Sequence, residues 1–196
     1  METKSIGTFE LEEKRKALLE TYRKKQSFRV SIGKSSWVPY ESFNPAYDLR
    51  EILNDECVIE FDTTDKDFAD KAINATAVNL YRSGLVFQIW SHGGRSMHIH
   101  IHDLPITPLI QEERTLFKKV FIRKIVDKEF LPLVDISLTG THLIALEWQK
   151  HWKGCYGIKE LIYEFNPQES NGMILTLQEV KSFCEELAKV LNMENT

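Results

Sequence analysis

The chain has 196 residues, 42% of them hydrophobic and 28% charged, which is enough apolar material for one substantial core and too much for disorder. Its formal net charge of −4 excludes a global basic field, so any nucleic-acid contact must come from a local patch. Cys57, Cys155 and Cys184 are widely separated, with no CxxC pair, and no stretch approaches the roughly 20 apolar residues of a membrane span. Those features argue against a zinc framework, a disulfide framework and a membrane protein, and suit a reducing cytoplasm.

In chain order, Phe9, Leu11, Leu18, Leu19 and Tyr22 recur at helical spacing and predict a surface helix over 9–25. SFRVSI and SSWVPYESF read as short strands of a hairpin turning at Gly33, and Pro45 is placed to open a short helix running to Leu53. ECVIEF is a buried strand. DKDFADKAINATAVNLYRSG is a helix with Asp residues in its first turn and Gly84 at its end. LVFQIW and SMHIHIHDL are strands joined by the turn HGGR, and Pro105 and Pro108 break the chain. A long amphipathic helix over 108–129 carries a basic side of Lys118, Lys119, Arg123 and Lys124. Mixed strand and loop follow through Phe165, and LTLQEVKSFCEELAKVL closes as a helix. The alternation predicts an α/β (α+β) fold with helices packed on a mixed sheet, organised as a single domain over 1–196.

Three constellations carry chemistry. Glu60 and Asp62 in VIEFDTTD stand two apart on a strand and so share a face, where paired carboxylates repel unless a cation compensates them. Mg²⁺ or Mn²⁺ suits such hard oxygen ligands. Asp65 and Asp67 continue the acidic run but read better as the start of the next helix. Asp135, a lone acid in LPLVDIS, either completes a carboxylate cradle or caps a turn. In SHGGRSMHIHIHD, the Gly93–Gly94 turn with Arg95 and His98 could present amides and cations to phosphate. His98, His100 and His102 alternate on one strand face, which is also compatible with a transition-metal site; the plainer expectation has His100 and His102 running outward to solvent.

These constellations, in this order, resemble the archaeo-eukaryotic primase superfamily, and in particular the catalytic small subunit of archaeal and eukaryotic DNA primase. ECVIEFDTTDKD is similar to that family's strand with an acid–x–acid pair. HGGRSMHIHI is similar to its Ser-Gly-x-Arg-Gly-x-His motif through Gly93, Arg95 and His98. PLVDISLTGTHLIALEWQKHWKG is similar to its third motif through Asp135, His151, Lys153 and Gly154. The likeness spans roughly residues 27–165. It implies a primase-polymerase core with an RRM-like catalytic sheet and flanking helices. It also implies a template-directed nucleotidyltransferase that makes or extends primers from NTP or dNTP on a DNA template. Glu60, Asp62 and Asp135 would be catalytic and hold two Mg²⁺ or Mn²⁺ ions, with no zinc. Gly93, Gly94, Arg95, His98 and His151 would bind the nucleotide.

The pattern departs from the family at several letters. Glu60 stands where an Asp is usual, His92 takes the serine position, Ser96 replaces the second glycine, and Ala145 stands where a basic residue is usual. Neither the zinc-binding nor the helical insertion is present, so the expected domain is minimal. The alternative is a catalytically weakened primase-fold accessory or nucleic-acid-binding subunit. On either reading the resemblance implies a cytoplasmic protein, nucleoid-associated if prokaryotic, that could work with a larger primase or replication subunit. Candidate nucleic-acid surfaces are the basic side of helix 108–129, the Tyr22–Lys25 run, and Lys150–Lys153 with Trp148 and Trp152, each also readable as plain solvated surface.

Overall fold

The computed structural model describes residues 8–33, 36–91, 97–150 and 157–166. Helix α1 (Thr8–Lys25) buries Leu11, Leu19 and Tyr22 along one stripe, as the spacing predicts. Strands β1 (Arg29–Ser31) and β2 (Val38–Pro39) pair antiparallel, and Gly33 adopts φ +59°, the left-handed conformation that glycine accepts without strain.

The helix expected from Pro45 to Leu53 does not form. Asn44 Oδ1 accepts the Ala46 N–H at 2.9 Å in a side-chain-closed turn, and the chain then enters β3 (Leu49–Glu51). Strand β3 lies between β1 and β7 (Leu143–Ala145), so two sets of ladder hydrogen bonds override the weak local helix signal. The first sheet has the order β2-β1-β3-β7.

Strand β4 (Cys57–Glu60) leads into α2 (Lys66–Arg82). Asp65 caps that helix by accepting the Phe68 N–H at 3.1 Å, the structural role expected of it, and Gly84 ends it at φ +66°. Strands β5 (Phe87–Ser91) and β6 (Met97–Ile101) then pair, and β8 (Glu160–Phe165) pairs with the outer side of β5. The second sheet has the order β4-β6-β5-β8. Every pairing between the described strands is antiparallel, which corrects the expectation of a mixed sheet. β4 and β5, joined through α2, do run parallel, but β6 lies between them and is antiparallel to both.

The chain continues into α3 (Gln111–Ile125), and a 3₁₀ turn over Leu131–Leu133 brings Val134 beside β4. There Phe61 and Val134 form an antiparallel bridge, with Asp62 N–H on the Leu133 carbonyl at 2.7 Å and Asp135 N–H on the Glu60 carbonyl at 3.0 Å. The second sheet therefore gains a short fifth position outside β4.

Alternation then separates the chemistry of the two faces of this sheet. Ile59, Phe61, Phe87, Ile89, Ile99 and Ile101 point to α2 and α3 and build the largest core. Glu60, His98 and His100 point the other way, toward the first sheet and α1, where a second core forms around Leu19, Tyr22, Phe28 and Leu146. Among the described residues no helix is long and apolar enough to cross a membrane. The molecule is a mixed α/β protein of two antiparallel sheets with α1, α2 and α3 packed on them.

Candidate functional site

The polar face of β4 brings three of the sequence-predicted residues into one row. Glu60 pairs with His98 of β6 on one side, and by the Phe61–Val134 register it faces Asp135 on the other. Directly opposed residues of an antiparallel pair project to the same side with Cβ atoms about 5 Å apart, so His98, Glu60 and Asp135 line up across the sheet. Asp62, two residues beyond Glu60, continues that face toward solvent. Its exposure fits a residue at the open end of the strand.

Two contacts refine the roles. Glu60 Oε2 lies 3.1 Å from His98 Nε2, so the acid and the histidine are directly paired. His98 itself is buried. Asp135 Oδ1 accepts the Ser137 N–H at 3.0 Å and caps the 3₁₀ turn Ile136–Thr139, so it serves as a cap while also standing beside Glu60. Gly93, Gly94, Arg95 and His151 lie outside the described residues, as do His92, Ser96, Trp152 and the closing helix expected over 175–191.

His100 and His102 do not run outward to solvent. His100 is fully buried between the sheets in a network that sequence reasoning missed: Arg50 of β3, Glu56 ahead of β4, Glu147 after β7, and Lys159 ahead of β8. All five side chains are completely enclosed. Arg50 donates to both carboxylates, with bonds of 2.7 and 2.8 Å to Glu56 and 2.5 and 2.8 Å to Glu147. Its guanidinium also stacks 4.7 Å from the Tyr22 ring. Two cations and two carboxylates leave the cluster electrically balanced, the condition under which buried charge is tolerated.

The electrostatics follow from enclosure. Burial alone would raise both carboxyls, but Arg50 outweighs it and holds Glu56 and Glu147 well below the usual carboxylate range. Burial, and then Lys159, push His100 well below an ordinary histidine, so the ring is neutral. Burial brings the Lys159 ammonium down to about 8 against the pull of Glu147. One tautomer satisfies every group. Nδ1–H donates to Glu56 Oε1 at 2.9 Å, and Nε2 accepts from Lys159 Nζ at 3.1 Å.

Among the described residues, Glu56, His100 and His102 form a group whose ligand atoms lie within 4.8 Å of one another. Its surroundings do not suit a cation, because Arg50 sits 3.2 Å from one ring nitrogen of His100 and Lys159 sits 3.1 Å from the other. The histidine stripe instead links interior to site: the rings of His98 and His100 stack with centroids 5.9 Å apart.

The proposed nucleic-acid surfaces change as well. Lys118 is buried with Nζ 3.5 Å from the Leu53 carbonyl, so it leaves the basic side of α3. Tyr22 is buried under Arg50, and Trp148 packs edge-on against Trp90 at 5.2 Å. No family model matches the chain, and no curated protein matches it.

Proposed function

We propose that this chain is a template-directed nucleotidyltransferase of the archaeo-eukaryotic primase type. The observation that carries the reading is the register across β6, β4 and the Val134 segment, which sets His98, Glu60 and Asp135 in one row with Asp62 next to it. The topology supports it. A strand–helix–strand–strand–helix path with the spatial order Val134 segment, β4, β6, β5 is the split arrangement of an RRM-like sheet.

The residues fit the divalent ions this reading implies. Three carboxylates on one face offer the hard oxygen donors that such ions take. Glu60, Asp62 and Asp135 would hold Mg²⁺ or Mn²⁺. When bound, the ions supply activation of a primer hydroxyl and neutralisation of the triphosphate. The protein's own part is positional. The ladder hydrogen bonds on either side of Phe61 fix the spacing of Glu60 and Asp135, and the Ser137 cap fixes the Asp135 carboxylate. By the resemblance, Arg95, His98 and His151 with the Gly93 and Gly94 amides would grip NTP or dNTP, and DNA would be the template.

The Glu60–His98 contact at 3.1 Å favours a second reading. An acid engaged by a histidine side chain suits an accessory subunit that has kept the fold without the chemistry. Primer extension with Mg²⁺ or Mn²⁺ decides between them. Template-dependent incorporation that disappears in Asp62→Ala/Asp135→Ala supports catalysis at this site. Incorporation that survives the double substitution overturns the mechanism, and absence of both incorporation and metal-dependent nucleotide binding favours the accessory role.

A further inference from the structure

The second sheet is wider than the helices that cover it. Strands lie about 4.8 Å apart and a helix is about 10 Å across, so each helix shelters roughly two strands. α3 packs beside the Ile136–Thr139 turn at the Val134 edge, and α2 packs over β6 next to it. The opposite edge, β5 and β8, is left with an open groove of about 600 Å³ between the outer flank of α2 and β8. Its walls are apolar and exposed: Val78 at 46%, Tyr81 at 57%, Ile162 at 58% and Tyr163 at 45%. Four large apolar side chains on one contiguous surface are what a missing partner leaves behind.

We propose that residues 177–191 of this same chain fill the groove as a third helix on this face of the second sheet, lying beside α2 over the β8 edge. Two independent observations choose this occupant. Strand β8 delivers the chain to the groove itself, since the Phe165 ring lies 4.7 Å from Tyr81. The sequence that follows carries the matching surface: Leu177, Val180, Cys184, Leu187 and Leu191 recur at alternating spacings of three and four, one apolar stripe of a helix. Thr176 and Glu179 have the spacing of a capping box at its start. The outward positions Lys181, Glu185 and Lys189 are charged. The connector 166–176 reaches up to about 36 Å when extended, ample to turn back along a helix of roughly 22 Å. The docked helix would cover Val78 and Ile162 and enclose the Cys184 thiol. The proposal does not depend on the nucleotidyltransferase reading.

Methyl NOEs in the isotope-labelled full-length chain test it directly. Contacts from Val180 and Leu187 to Val78 and Ile162, present within single molecules, are expected. Contacts seen only between differently labelled copies would overturn it in favour of a second chain as occupant. Contacts to another face, or random-coil shifts over 177–191, would overturn it outright. Hydrogen exchange on full-length Leu187→Asp provides a second readout: amides of 77–81 and 160–165 should exchange at least tenfold faster while those of α1 do not change, and an unchanged pattern in the groove would also sink the idea.

Discussion

Glu60 and His98 face each other across β4 and β6 with Oε2 and Nε2 3.1 Å apart, and Asp135 stands on the other side of the same glutamate. One acid thus sits between a histidine and a second acid. Asp135 has two roles, and a conservative change separates them. Asn at 135 keeps a side-chain oxygen for the Ser137 N–H, so the 3₁₀ cap survives and stability should change by less than about 0.5 kcal/mol. The loss of one anionic ligand should weaken Mn²⁺ binding at least tenfold, measured by calorimetry on the full chain. Asp65→Ala is the converse control. It removes the α2 cap at a cost of about 1 kcal/mol and should leave Mn²⁺ affinity unchanged.

Arg50 makes the sharpest stability prediction. It is the cation shared by Glu56 and Glu147, and all three are fully enclosed. Arg50→Met leaves two buried carboxylates with only Lys159 to compensate them, which should cost about 3–5 kcal/mol in urea unfolding. The exposed pair Lys25–Asp103 provides the contrast: Lys25→Met should cost less than about 1 kcal/mol. Equal effects at the two positions would mean that enclosure is not what gives the Arg50 cluster its weight.

The sequence shows the parts of this molecule whose signals are local. Asp65 and Gly84 bracket α2 because a cap and a left-handed glycine act within one helical turn of where they stand. Glu60 and Asp62 share a face because a strand has period two. Asp135 stands out in the sequence as a lone acid, but its place opposite Glu60 depends on a single bridge after an intervening helix pair. The buried network left no local trace at all, since Arg50 and Glu147 stand 97 positions apart and charges in short strands ordinarily point to water. The burial of His100 is hidden in the same way. Alternation places a side chain on a face, but only the first sheet, packed against that face, decides whether it is wet. The short β3 carries a local helix signal after Pro45, and its strand identity comes from two neighbouring strands, not from its three residues.

The neutral His100 ring has a spectroscopic consequence. Burial and Lys159 both disfavour its protonation, so it should remain uncharged through the range near 6.5 where an exposed histidine titrates. Side-chain ¹⁵N correlations should show a protonated Nδ1 and a bare, hydrogen-bond-accepting Nε2, unchanged from pH 7.5 to pH 5. A midpoint near 6.5 would contradict the assigned network. The unfolded chain takes up this proton on acidification and the folded chain does not, so His100 contributes a loss of stability as pH falls below about 6.5.

Lys159 should show itself on the alkaline side. Its ammonium has a folded-state value of about 8, against 10.5 as the ordinary value, because burial outweighs the attraction of Glu147. Between those two values the unfolded chain still holds a proton that the folded chain has released, so this group's contribution to stability rises with pH across that window. The Cys57 thiol opposes the trend: burial raises it from 9.0 to about 12, which makes its contribution fall above pH 9. Comparing wild type with Lys159→Met cancels the thiol, which both proteins carry, and isolates the lysine. The stability difference, wild type minus variant, should be flat below pH 8, rise by on the order of 3 kcal/mol by pH 10.5, and flatten again. Glu147 keeps its two bonds to Arg50 in the variant, so the fold should persist for the measurement. A difference that does not change with pH would mean that Lys159 keeps its proton in the folded protein and that Glu147, not burial, dominates its surroundings.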